Sequence, residues 1–173
     1  MKPDSDTAIP KLVVFDLDFT LWDCGGLWID CTTPPFRLDG DGRIRDRRER
    51  VFRLYPEVPG ILDRLESVGC LLGLASRTEQ PSWAREVLDL MGIRQRFQFE
   101  EIYPGSKVRH FGAIQRASGL AYDEMVFFDD EDRNIVEVGA LGVTAIHVRN
   151  GMNRRLLDRG CTRPPSRGTR GAG

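Results

Sequence analysis

Two aspartates one residue apart, Asp16 and Asp18, follow four consecutive apolar residues, Leu12 to Phe15, and Thr20 comes two positions later. Carboxylates so spaced do nothing for a core, and they repel each other unless a cation or a polar substrate sits between them. Three more polar signals stand at the ends of apolar runs. Ser76 follows Cys70 to Ala75, Lys107 follows Phe97 to Tyr103 after a Pro104-Gly105 turn, and Asp129-Asp130 follows Met125 to Phe128. Several acids, one lysine and one hydroxyl suit a site for Mg²⁺ and a phosphoryl group. Carboxylate oxygens hold the hard cation, which keeps several waters, while lysine and serine take phosphoryl oxygens. Each residue has an ordinary alternative: Ser76 and Asp129-Asp130 as helix caps, Lys107 as a surface lysine. Lysine is nevertheless an odd choice in the first turn of a helix, whose positive end disfavours it.

The elements that must position these residues are legible in the pattern. Leu12 to Phe15 is an unbroken apolar run, as expected for a strand buried on both faces. Val58, Ile61, Leu62, Leu65 and Val68 recur at helical spacing after Tyr55-Pro56-Glu57, and Gly69 closes the pattern. Further helices are expected over Pro81 to Met91, from Ser106 onward and over Glu131 to Leu141, with a fifth strand from Val143 to Val148. Strands alternating with helices predict an α/β fold, a three-layer Rossmann-like parallel five-stranded sheet with right-handed crossovers. The strand ends then share one edge, where open α/β sheets bind ligands.

Between the first strand and the first helix, residues 22–53 break the pattern with Gly25-Gly26, Pro34-Pro35 and the Asp-Gly turns of DGDGR. This reads as a small loop and hairpin insertion over the mouth of the sheet, too short for a second domain. Its segment Arg43 to Arg53 carries six arginines against two acids. A solvated edge is the favoured reading over a basic rim for phosphate-bearing substrates. The domain is expected over 10–152, with flexible termini at 1–9 and 153–173, the latter basic and rich in Gly and Pro.

The 173 residues fit one domain with a sizeable core, expected to be monomeric. A net charge of -1 offers no general basic face for nucleic acid. No apolar run approaches the length of a membrane span. The polar N-terminus lacks the apolar middle of a signal peptide, so a cytoplasmic location is expected. Cys24, Cys31, Cys70 and Cys161 form no CxxC pair, and His110 and His147 lie far from them. Free thiols are expected, not a zinc site.

The order hhhhDLDxT, then Ser, then Lys, then hhhhDD resembles the haloacid dehalogenase-like phosphohydrolases. PKLVVFDLDFTLW (10–22), EIYPGSKVRHF (101–111) and MVFFDDEDRNI (125–135) are similar, more closely, to the magnesium-dependent phosphatase-1 family, and the likeness runs over nearly all of 10–152. The resemblance implies Asp16 as nucleophile, forming an aspartyl-phosphate. It implies Asp18 as general acid and then base, with its pKa raised by neighbouring anions. Mg²⁺ would bind the Asp16 carboxylate, the Asp18 carbonyl and a carboxylate of Asp129 or Asp130. Backbone N–H groups of Leu17 and Asp18, with Ser76, Lys107 and Arg77, would hold the phosphoryl group. The implied substrates are aryl phosphates and phosphotyrosine, on a small molecule or a phosphoprotein, or sugar phosphates. Trp22 and Trp28 are candidates for stacking on a substrate ring, or equally for anchoring the insertion. The DCGGL stretch before Trp28 is longer than the family pattern and bears on substrate preference. Two other functions remain open: a transferase that passes the group to a carrier protein, and a non-enzymatic sensor phosphorylated on aspartate.

Overall fold

The computed structural model describes residues 9–162. Strand β1 (Leu12–Phe15) lies at the centre of a five-stranded, all-parallel sheet and is buried along its whole length. The insertion supplies β2 (Trp22–Asp23), β3 (Arg37–Leu38), β4 (Ile44–Arg45) and β5 (Val51–Leu54). After them come α1 (Val58–Ser67), β6 (Leu71–Ser76), α2 (Pro81–Leu90), β7 (Phe99–Ile102) and α3 (Lys107–Ser118). The chain continues with β8 (Met125–Asp129), α4 (Asp132–Gly139), β9 (Thr144–His147) and α5 (Arg154–Cys161). The order across the main sheet is β7-β6-β1-β8-β9.

The continuous apolar runs are explained by burial on both faces, since alternate side chains of a strand point to opposite sides. Val13 and Phe15 join a cluster with Ile61 and Leu62 of α1, Val87 and Leu88 of α2, and Leu157 of α5. Leu12 and Val14 face the other way, into a cluster with Phe111 and Ile114 of α3 and Val138 of α4. Helices therefore cover both faces, and polar residues can leave the core only at the strand ends. Register decides where they do so. Phe15 stands beside Leu74 and Phe128, so the next residue of each strand is Asp16, Ala75 or Asp129.

The insertion is more ordered than a loop and hairpin. Its strands pair antiparallel in the order β2-β5-β4-β3, and β3 and β4 form the hairpin around the Asp-Gly turns. Phe36 packs on Phe52 and on Trp83 of α2, which fixes the small sheet to the domain. Several of its arginines pair within it. Arg37 pairs with Asp39 and Glu49, Arg45 with Asp39, and Arg50 with the buried Asp46. The solvated-edge reading describes this segment.

The C-terminal side departs from expectation. Residues 153–161 do not fray: α5 packs on the sheet, with Leu157 buried, the Asn153 side chain accepting from the Leu156 N–H, and Arg64 pairing with Asp158. Gly160 looks like a breaker, yet it is what lets the helix sit down. A Cβ there would come within 2.8 Å of Phe128 Cζ and Val126 Cγ1. Residues 1–8 and 163–173 lie outside the described residues. All four cysteines are free, and among the described residues no helix is long and apolar enough to cross a membrane.

Candidate active site

The edge where β1, β6 and β8 end collects the residues singled out by spacing. Asp16, Asp18, Trp28, Ser76, Arg77, Lys107 and Asp130 all line one cavity of about 250 Å³. Asp129 stands just behind it, fully buried.

Asp16 is fixed at the end of β1, its N–H donating to the Phe128 carbonyl at 2.9 Å. Lys107 reaches it from the first turn of α3. Its Nζ lies 2.7 Å from Asp16 Oδ1 and 3.0 Å from Asp129 Oδ2, and it also donates to the Ala75 carbonyl. Ser106 caps that helix by accepting from the Arg109 N–H. Lysine at a helix start is unfavourable on dipole grounds, and here two buried carboxylates outweigh that. Burial opposes charge on Lys107, but Asp16 and Asp129 together lift its pKa above the ordinary lysine range. Burial pushes Asp16 well upward, with Lys107 pulling the other way.

Carboxylate oxygens of Asp16, Asp129 and Asp130 lie within 4.8 Å of one another. One ammonium among three carboxylates leaves the cluster short of positive charge. Asp130 reports that shortage: burial first, then the adjacent Asp129 charge, push its pKa up to about 6. Among the described residues its carboxylate accepts from no other side chain. A hard divalent cation bound through oxygen fits this donor set.

Asp18 is oriented by the insertion. Trp22 Nε1 donates to its Oδ1 at 2.7 Å, the Ile29 N–H lies 3.1 and 3.2 Å from its two oxygens, and Cys24 Sγ stands 3.7 Å away. Burial nevertheless pushes its carboxyl up to about 6, against the donors that favour the anion. A group poised there can hold or release a proton near neutral pH. The chain turns sharply beside it, with Phe19 in the left-handed region at φ 55. The N–H groups of Leu17 and Asp18 donate to no backbone carbonyl among the described residues, leaving two donors for an anion. Leu17 contributes through its backbone only, since its side chain is buried in the core.

Ser76 ends β6, with its hydroxyl 3.4 Å from the Thr78 N–H. Arg77 donates to Asn134 Oδ1 at 3.0 Å. The two tryptophans divide their tasks. Trp22 is fully buried and serves Asp18, so it is an anchor and not a stacking surface, whereas Trp28 is 53% exposed at the cavity rim, edge-on to Phe19.

Two participants went unassigned on the sequence. Asn134 Nδ2 stands 3.0 Å from both oxygens of Asp129 and holds that carboxylate in place, with the Glu131 N–H adding a bond at 2.8 Å. Its position in the first turns of the helix after Asp129-Asp130 was the available signal. Asp30 accepts from the Thr78 hydroxyl and the Glu79 N–H, tying the insertion to the loop after β6. No sequence pattern announces that contact.

The chain has known relatives in sequence and in fold. A family model described as Acid Phosphatase matches residues 8–164. The chain is 50% identical over 153 residues to human magnesium-dependent phosphatase 1, covering 88% of this chain and 85% of that protein. It is 40% identical to a HAD-like hydrolase superfamily protein of Schizosaccharomyces pombe, over 83% of this chain and 90% of the relative. Solved structures share the fold at low identity. A Had-superfamily hydrolase from Ehrlichia chaffeensis superposes with TM-score 0.63 at 14% identity, covering 88% of this chain and 96% of that one. A haloacid dehalogenase-like family hydrolase from Streptococcus pneumoniae gives TM-score 0.61 at 16% identity, over 86% and 90% of the two chains.

Proposed function

The chain belongs to the acid phosphatase family and is a magnesium-dependent phosphatase of the haloacid dehalogenase-like superfamily, and we propose that it hydrolyses phosphomonoesters through an aspartyl-phosphate on Asp16. The observation that carries this reading is the pairing of two differently placed acids in one cavity. Asp16 is held on Lys107, and Asp18 is held apart from it by Trp22 and Ile29 with a pKa near 6.

An Asp16 oxygen attacks phosphorus, and the bond from phosphorus to the ester oxygen breaks. Asp18 gives its proton to the departing oxygen. The resulting carboxylate then takes a proton from water, which attacks the mixed anhydride and frees phosphate and Asp16. The Leu17 and Asp18 N–H groups, Ser76, Lys107 and Arg77 hold the phosphoryl oxygens, donors aimed where charge builds up. The carboxylates of Asp16, Asp129 and Asp130 and the Asp18 carbonyl would hold Mg²⁺. When bound, the ion neutralises phosphoryl charge and lets the anionic nucleophile approach. Asn134 and Lys107 keep Asp129 turned toward the cluster.

The substrates are aryl phosphates, including phosphotyrosine, or sugar phosphates. Exposed Trp28 at the rim supports a ring there, and an insertion that contributes little besides Trp28 and Asp30 to the cavity leaves room for a large leaving group. Sustained release of p-nitrophenol from p-nitrophenyl phosphate with Mg²⁺, abolished in Asp16→Asn, is the expected result. A single stoichiometric burst would overturn hydrolysis in favour of a phospho-aspartate sensor. Trp28→Ala should slow an aryl phosphate more than a small alkyl phosphate, and equal slowing would remove the stacking role.

A further inference from the structure

The catalytic cavity is not closed on the side of β9. It shares Trp28 and Asp130 with a shallow depression of about 700 Å³ that also takes in Tyr55 and Arg149. That depression in turn shares His147, Arg149 and Asn150 with a third, of about 560 Å³, bounded by Arg155 and Arg159 of α5. The three make one continuous groove from Asp16 to the C-terminal helix.

Several arginines of the molecule are tied down: Arg37, Arg45, Arg94 and Arg96 each bridge two carboxylates. Among the described residues, Arg149, Arg155 and Arg159 pair with none. Of the acids that stand nearby, Asp132 is engaged with His147, Asp158 with Arg64 and Glu57 with Arg154, while Asp130 belongs to the carboxylate cluster around Asp16. Arg155 and Arg159 are four apart on one helix and so lie side by side on its surface. Arg149 follows the end of β9. The three exposed cations are spread along the groove, an arrangement that suits an extended anionic chain better than one compact anion.

We propose that this groove docks an acidic stretch of a phosphorylated polypeptide, its carboxylates lying on Arg149, Arg155 and Arg159 while the phosphorylated side chain passes Trp28 to reach Asp16. The proposal rests on the phosphatase reading above and narrows its substrate class. Exposed ion pairs are individually weak and screened by salt, so the selectivity comes from several acting together along a tethered substrate.

The test uses the full chain with Mg²⁺ and two phosphotyrosine peptides of equal length, one with glutamates flanking the phosphorylated residue and one with alanines. The wild type should favour the acidic peptide in kcat/KM by about tenfold at low salt, falling toward unity at high salt. In the double variant Arg155→Glu/Arg159→Glu the ratio should drop below one. Arg149→Gln, on a different element, should lower it severalfold, so loss of α5 alone would not decide the matter. Because the readout is a ratio within each protein, damage to catalysis as a whole does not mimic the effect. Equal kcat/KM for the two peptides would overturn the groove while p-nitrophenyl phosphate turnover left the phosphatase reading standing. A strong preference for a doubly phosphorylated sugar over both peptides would likewise overturn the polypeptide assignment. Were no ester hydrolysed at all, the phosphatase reading would fail by itself. Fluorescence anisotropy of the two labelled peptides would still judge the groove: tighter binding of the acidic one, lost in the double variant, supports it, and equal binding overturns it.

Discussion

The indole Nε1 of Trp22 donates to Oδ1 of Asp18 at 2.7 Å, and both side chains are buried. The insertion thereby reaches into the catalytic edge and fixes the direction of its acid. Trp22→Phe keeps most of the packing and removes the donor. Turnover of an alkyl phosphate should fall about tenfold, with stability lower by about 1–3 kcal/mol. Asp18→Asn should cost about 10²–10⁴ in kcat/KM on the same ester but far less in kcat/KM on p-nitrophenyl phosphate, whose leaving group needs no proton, while kcat falls on both because the base for the second step is lost. Steady-state kinetics on the two esters check both; equal losses in kcat/KM would mean that Asp18 is not the proton donor.

Lys107 is fully buried between Asp16 and Asp129. Lys107→Met strands two carboxylates in the interior without their cation. Removing one member of a buried charge set is expected to cost about 3–5 kcal/mol. Urea denaturation with EDTA present measures it, and Mg²⁺ should recover part of the loss in the variant by restoring positive charge beside the acids.

Three carboxylates against one ammonium also predict a thermal response in the native protein. Mg²⁺ should raise the melting temperature, with about 2.7 kcal/mol of added stability at a hundred times its dissociation constant. Asp130→Asn should shift the titration to higher Mg²⁺, and EDTA should silence hydrolysis until Mg²⁺ is added back. An unshifted melting curve would argue against the metal centre.

His110 gives the fold an acid-sensitive point. Its Nε2 lies 2.9 Å from the Tyr103 carbonyl while Nδ1 is buried without a partner. Burial, with the nearby Lys107, Arg77 and Arg109 charges, lowers its pKa to about 4. The unfolded chain, near 6.5, then binds more protons between these values. The His110 contribution is therefore fully present above about 6.5 and is lost as pH falls toward 4, by at most about 3 kcal/mol. Comparing wild type with His110→Gln in urea at pH 7.5 and 5 should show a smaller acid-induced loss in the variant.

The sequence revealed those parts of the site that are local to a strand end. Asp16, Ser76, Lys107 and Asp129 each follow an apolar run, and parallel register brings the runs into line. What pattern could not reveal depends on packing between distant segments. Trp22 as the partner of Asp18, Asp30 on Thr78 and Asn134 on Asp129 are contacts of fold, not of spacing. Helix α5 was missed because a segment of only eight residues with a glycine near its end is too short to hold a helix alone, even with arginines and leucines in it; its stability comes from docking on β8.

The ammonium of Lys107 draws on acceptors delivered by three different strands: Asp16 after β1, the Ala75 carbonyl in β6 and Asp129 in β8. Any half-assembled sheet would have to enclose that cation with some of its acceptors missing. The chain therefore has little to gain from partial order around its centre. During refolding, regained hydrolysis should coincide with completion of the whole sheet and should not precede it.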